Sequence, residues 1–484
     1  MQTIESSNDI SVRLDRIPGN ARLWLWIGKL SLGGFFEVYD LALTALLSPM
    51  LVAAGVFQKG AGGMFGMPDQ ATFAFLTMMG LFAGAFGFAG VADRYSRRRL
   101  FIASLLWYSV ATAMMAFQTS ALAICTWRFI AGIGLGLELV VIECYLAEIT
   151  PKHLRGRVFS ISKFVQMCAI PVAGVFANVA APHVWFDMPG WRWVALAPAI
   201  GGVVVMLIRR GLPESPRWLA ANGHAAEAAR IVEELEQYVL ASGGTLRPQA
   251  ALQTAASPAP QQRAATYADL FQRPHRRRVF MLLAVDAASS IAFYGFSHWA
   301  PTLLAHQGVE LRHSLLYMAA IGIAYPCAPL IGALFADRIE RKWQVAIAGV
   351  AGAAFGLLFA RQDSGAMWIL FGVLLTIAIE IKSTAAHTYR SELFPTHVRA
   401  RAVGFIYSIT RLASALSSYL IAFTLLQFGV SGVFTLITAL LLFSAMVILS
   451  FGPRSRGRAY EEITDDLAPR HGVHARDGYA ADSK

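Results

Sequence analysis

The chain has 484 residues, 56% of them hydrophobic and only 15% charged, where soluble domains carry about 25% charged residues. A soluble core of this length would leave far more polar surface, so an ordinary cytosolic enzyme and a disordered protein are both excluded, and the composition implies a membrane-embedded chain with the lipid bilayer as its main partner. The net charge of +11 does not point to nucleic acid, because the basic residues fall in short clusters between apolar segments rather than along one amphipathic face.

Residues 1–22 are polar and lack a signal peptide's apolar core and small-residue cleavage site, so they are expected to be kept as an N-terminal tail. At about 20 apolar residues per span, twelve spans centre near residues 38, 81, 108, 135, 169, 200, 288, 324, 351, 379, 412 and 440. The first six fill residues 23–208 and the last six residues 276–451. Between them lies a polar loop, 209–275, with an amphipathic helix over HAAEAARIVEELEQYVL, and residues 452–484 form a C-terminal tail. The fold class is all-α, with twelve transmembrane helices in two six-helix bundles.

Lys and Arg accumulate in short cytoplasmic loops. Here they gather after spans two, four, six, eight, ten and twelve, which places both termini in the cytoplasm of an inner-membrane protein. Cys125, Cys144, Cys168 and Cys327 all lie in apolar runs, with no metal-ligand or disulfide spacing. No metal or cofactor is expected, and no nucleotide-binding GxxxxGK[ST] loop occurs.

Internal repetition is the strongest organisational signal. GVADRYSRRR around Asp93 recurs as LFADRIERKW around Asp337, and LAEITPKHLRGR around Glu148 recurs as RSELFPTHVRAR around Glu392, both at an offset of 244 residues. Together with Pro213-Glu214-Ser215-Pro216-Arg217-Trp218-Leu219 after span six, these motifs resemble the major facilitator superfamily, in the branch shared by sugar porters and organic-ion carriers. The resemblance implies a rocking carrier with one central site reached alternately from either side. The family's loop glycines are replaced by Ala89, Ala333, Ser96 and Glu340, although the charge pattern survives.

The repeated clusters offer carboxylates and guanidiniums able to form bidentate pairs. Asp93, Arg94, Arg98, Glu148, Arg155, Arg157, Glu214 and Arg217, with Asp337, Arg338, Glu392, Arg399 and Arg401, are read as a cytoplasmic gate latching one half to the other. A purely topological role for the arginines is the alternative. Ionisable groups at the bilayer centre cost on the order of 3 kcal/mol or more, so each is a functional candidate. Glu37 and Asp40 lie one turn apart on span one. Asp40 and Arg128 match the pair that the resemblance makes the proton-coupling site, with Glu37 beside it.

The remaining cavity candidates are Glu138, Glu143, Lys163, Asp286, Tyr294, His298, Glu380, Lys382 and His387. The 244-residue offset maps Glu138 onto Lys382 and Glu143 onto His387. This suggests either a pair across the midplane or a lysine that receives a substrate anion; local pairing of Lys382 is the third possibility. Sugar porters' paired glutamines in span seven are missing, and Ile170 stands at their span-five glutamine. The reading is a monomeric secondary transporter that moves a small organic acid together with protons. A sugar:proton symporter and an organic-cation exporter stay open beside it.

Overall fold

The computed structural model describes residues 7–88, 95–208, 211–248, 267–272, 275–336, 338–394 and 396–454. Among the described residues, eleven helices are long and apolar enough to cross a membrane. The first six are Ala21–Ala53, Asp69–Gly87, Arg97–Ala116, Ala121–Ile149, Lys152–Ala180 and Gly190–Ile208. His275–Ser297, Leu311–Gly332, Arg341–Ala360 and Gly365–Arg390 follow as spans seven to ten. Spans eleven and twelve share one run, Thr396–Phe451, which turns at Gly429. There φ is 64° and ψ is −165°, a conformation open to glycine and closed to bulkier residues.

Local chemistry fixes several helix starts. The side chains of Asn20, Ser96, Ser120 and Ser215 each accept a bond from the backbone N–H three residues on, as N-caps do. In a bilayer, helices approach most closely where side chains are smallest. Gly80 and Gly84 of span two lie against Gly132 and Ile133 of span four, and a Cβ at Gly84 would come within 2.1 Å of the Ile133 carbonyl oxygen.

The polar N-terminal stretch is more ordered than its composition suggests. Ser7–Arg16 is a helix, and its Ile10 and Leu14, with the following Ile17, are buried in one cluster with Ile231, Val232 and Leu235. Those three belong to the loop helix Ala225–Ala241, whose buried positions follow the spacing expected of an amphipathic helix. Arg13 binds Glu236 at 2.6 Å, and Arg22 binds Glu234 at 3.0 Å.

The halves meet where span two packs on span eleven and span five on span eight. Away from the arginine-rich loops, Thr302 donates to Gln70 at 3.1 Å, the Thr72 and Tyr419 hydroxyls lie 3.2 Å apart, and Asn178 donates to the Arg312 carbonyl at 2.6 Å. At the arginine-rich end, the side-chain bonds seen among the described residues of the spans stay within one half.

Candidate functional site

Asp40 and Arg128 form the most enclosed polar unit. Both side chains are fully buried, and an isolated charge there would be costly unless paired and hydrogen-bonded. Arg128 Nη1 donates to Asp40 Oδ1. Its Nη2 reaches the Asp40 carbonyl at 2.6 Å and Thr44 Oγ1 at 3.1 Å, and its Nε donates to Thr77 Oγ1 at 3.1 Å. Thr112 donates to Asp40 Oδ2 at 2.8 Å. Four spans therefore satisfy one ion pair, and Phe73 lies 5.6 Å from the guanidinium.

Glu37, one turn earlier, faces elsewhere. Its side chain is 4% exposed and lies within electrostatic reach of Lys163, Glu143, Arg411 and Asp40. Glu143, Lys163 and His387 are exposed, on spans four, five and ten. Hydrated ionisable groups at mid-span mark a water-filled cavity rather than a lipid face. Glu380 is half-buried and within reach of Lys163.

Arg411 of span eleven closes this cavity's wall. Its Nη1 donates to the Tyr294 hydroxyl at 2.5 Å, its Nη2 donates to the Tyr407 hydroxyl, and its guanidinium lies 4.5 Å from the Tyr407 ring centre. The Tyr294 ring is in turn 4.9 Å from that of His298. The structure thus holds a guanidinium with two phenols, beside the aromatic residues of the interrupted seventh span.

A family model described as sugar (and other) transporter matches residues 29–467. The chain belongs to this family. It is a major facilitator transporter and not an enzyme. It is 25% identical over 458 residues to the niacin transporter NiaP of Acinetobacter baylyi, with 94% of this chain and 99% of that one covered. It is 26% identical over 466 residues to the inner membrane metabolite transport protein YdjE of Escherichia coli, covering 96% and 100%. The inward-open structure of the xylose transporter XylE from E. coli superposes with a TM-score of 0.71 at 17% identity, covering 92% and 99%. That last likeness concerns the fold.

Two residues assigned to the cavity are fully enclosed. Glu138 is 0% and Lys382 1% exposed. Lys382 donates to Ser289 Oγ and is within reach of Asp286, which binds Arg390 at 3.3 Å. Ser289 lies 3.2 Å from Ser444 of span twelve. The lysine therefore turns towards spans seven and twelve of its own bundle, in place of the expected pairing with Glu138 or Glu380.

The gate residues also regroup. Arg97, which the motif reading passed over, binds Glu148 through Nε at 3.1 Å and Nη2 at 3.0 Å, and its counterpart Arg341 binds Glu392 at 3.4 Å. Each of these two pairs joins neighbouring span ends inside one half. The reason is packing: Arg97 opens span three, which lies along span four, whereas Arg155 and Arg157 follow Pro151 in the next helix. Arg157 lies 5.6 Å from the Trp24 ring. Glu214 accepts from Ser96 and from the Arg98 backbone N–H, so it anchors the start of span three.

Arg217 donates to Asp15 at 2.7 Å and to the carbonyls of Ala147 and Thr150. Burial pulls its guanidinium below the ordinary value while the Asp15 charge opposes that shift. Arg338 is exposed and Arg401 half-buried at the same end. Asp93, Arg94, Asp337 and the Arg399 side chain lie outside the described residues.

Proposed function

We propose that the transporter carries a small organic acid by alternating access, with protons as the coupling ion. The bundles 23–208 and 276–451 rock about the central cavity, and the arginine-rich end, with both chain termini, faces the cytoplasm. Arg411 carries this reading. Among the described residues its hydrogen-bond partners are two phenols rather than a carboxylate, so a substrate carboxylate can supply the counter-charge through a bidentate bond. A neutral sugar would leave the guanidinium bonded to its two phenols alone. Asp40 and Arg128 supply the coupling, through a buried ion pair joining spans one and four that rocking of the helices can make and break.

Niacin, in the name of one relative, is a small aromatic carboxylic acid, which makes nicotinate the first probe. Calorimetry on the purified protein should show nicotinate binding, and Arg411→Gln should weaken it by roughly 10- to 100-fold, the loss expected of a charge-assisted hydrogen bond. Xylose binding with a silent panel of carboxylates would overturn the assignment.

A further inference from the structure

Arg411 is held by two phenols of different origin. Tyr407 lies one turn before it on span eleven, and the guanidinium sits over that ring, 4.5 Å from its centre, as a cation–π contact. Tyr294 comes from span seven. Its hydroxyl accepts from Arg411 Nη1 at 2.5 Å, and the Tyr407 hydroxyl accepts from Nη2.

This unit faces the other half of the molecule. Ala415, one turn beyond Arg411, lies in an apolar cluster with Met78 and Leu81 of span two, and Tyr294 packs against the same cluster. Tyr294, Tyr407 and Arg411 nevertheless stay partly exposed. They therefore stand at the seam between the bundles rather than on the lipid face.

A phenol hydroxyl can both accept and donate. Each of these two accepts from the arginine, and among the described residues no acceptor receives either O–H. A guanidinium likewise carries more N–H groups than two phenols take up. The unit thus offers a ligand a surplus of donors, and an ionised carboxylate is the group that accepts without donating.

We propose that Tyr294 and Tyr407 each donate their hydroxyl proton to the substrate carboxylate on Arg411, and so favour an ionised acid over its amide. This rests on the reading of Arg411 as the carboxylate site.

Each hydroxyl then links guanidinium to carboxylate in a short chain. Accepting from a cation polarises the O–H and makes it the better donor, so the links strengthen one another. A carboxamide gains less, because its oxygen carries no full charge and its N–H groups meet mostly donors. Both rings are also held apart from their hydroxyls. The Tyr407 ring carries the guanidinium, and the Tyr294 ring centre is 4.9 Å from that of His298 and 5.0 Å from that of Phe293. Ser290 donates to the Thr410 carbonyl at 3.3 Å, which ties span seven to span eleven without the tyrosine. Removing one hydroxyl therefore leaves ring and helix in place.

Calorimetry on the full-length protein tests the assignment with nicotinate, and with nicotinamide as competitor. Tyr294→Phe and Tyr407→Phe should each weaken nicotinate binding roughly tenfold, the loss expected of a hydrogen bond to a charged group, and shrink the preference over nicotinamide by a similar factor. Fluorotyrosine at either position separates a ligand from a support, and it disturbs packing least. Its hydroxyl is a stronger donor and a weaker acceptor, so below the pH at which it ionises nicotinate should bind about twofold more tightly. Weaker binding would make the phenols mere supports of the arginine and overturn the proposal. Full affinity in both Phe variants, with Arg411→Gln impaired, would also overturn it and leave the carboxylate site on Arg411 standing. Wild-type affinity in Arg411→Gln would remove that site, and the role of the two phenols with it.

Discussion

The two halves descend from one repeat yet handle buried charge differently. In the first, Asp40 and Arg128 match one to one, and Thr44, Thr77 and Thr112 complete their bonds. At the 244-residue offset the same five positions read Ala284, Gly372, Ala288, Ile321 and Gly356, all unable to carry charge. The second half instead groups Asp286, Ser289, Lys382, Arg390 and Ser444, and their mates are Ala42, Ala45, Glu138, Leu146 and Ile200. Position 138/382 alone is ionisable in both. Duplication kept the scaffold, and each half then acquired its own charges, balanced in the first and one carboxylate against two cations in the second.

The largest effect should come from breaking the balanced unit chemically. Asp40→Asn keeps the shape but removes the protonatable group, so reconstituted protein should lose accumulation against a gradient. Counterflow exchange should persist, because it needs alternating access without net proton movement. Undiminished uphill uptake would show that Asp40 takes no part in coupling.

Removing the cation from each cluster sharpens the contrast. Arg128→Met leaves Asp40 buried with no guanidinium, and breaking a buried pair on one side costs about 3–5 kcal/mol. Lys382→Met leaves Asp286 with Arg390, a matched pair, and Ser289 still bonded to the Val285 carbonyl at 2.5 Å. Its cost should stay within about 1 kcal/mol, since exchanging a buried charge for a well-packed apolar side chain is often neutral. Thermal unfolding of both variants in one detergent decides the matter. Equal losses would mean that Lys382 is needed as the counter-charge of Asp286.

This difference was only partly legible in the sequence. Spans could be read because apolar length is set by the bilayer, and Asp40 and Arg128 because charges in such runs are rare. The three threonines could not, since a hydroxyl inside a helix can bond its own backbone, as Thr77 does to the Phe73 carbonyl at 2.7 Å, and so carries no signal of a partner. The repeat offset gave Glu138 and Lys382 equal depth but said nothing of their direction around the helix. Only the contacts show that Lys382 turns to Ser289 of its own bundle. Arg97 and Arg341 did keep the offset, yet only the packing of span three on four, and nine on ten, shows why they rather than the motif arginines reach the glutamates. Ile10, Leu14 and Ile17, at i, i+4 and i+7, were the overlooked signal for the N-terminal helix.

The smallest expected effect compares the two span-end pairs. Glu148 receives Arg97 through two nitrogens, with the arginine 8% exposed, whereas Arg341 meets Glu392 at 3.4 Å and the glutamate is 30% exposed. A bond to a charged group is worth about 1.5–3 kcal/mol when well shielded, and an exposed ion pair about 0.2–1 kcal/mol after solvent screening. Glu148→Gln should therefore lower the unfolding midpoint more than Glu392→Gln, and added salt should shrink the second loss first, because screening acts mainly on exposed charges. Both pairs lie within one half, so neither variant should change the labelling of a cysteine placed on span five or eight, where the halves meet. Altered labelling by Glu148→Gln would restore the latch between halves, and equal, salt-insensitive losses would mean that the two ends are built alike.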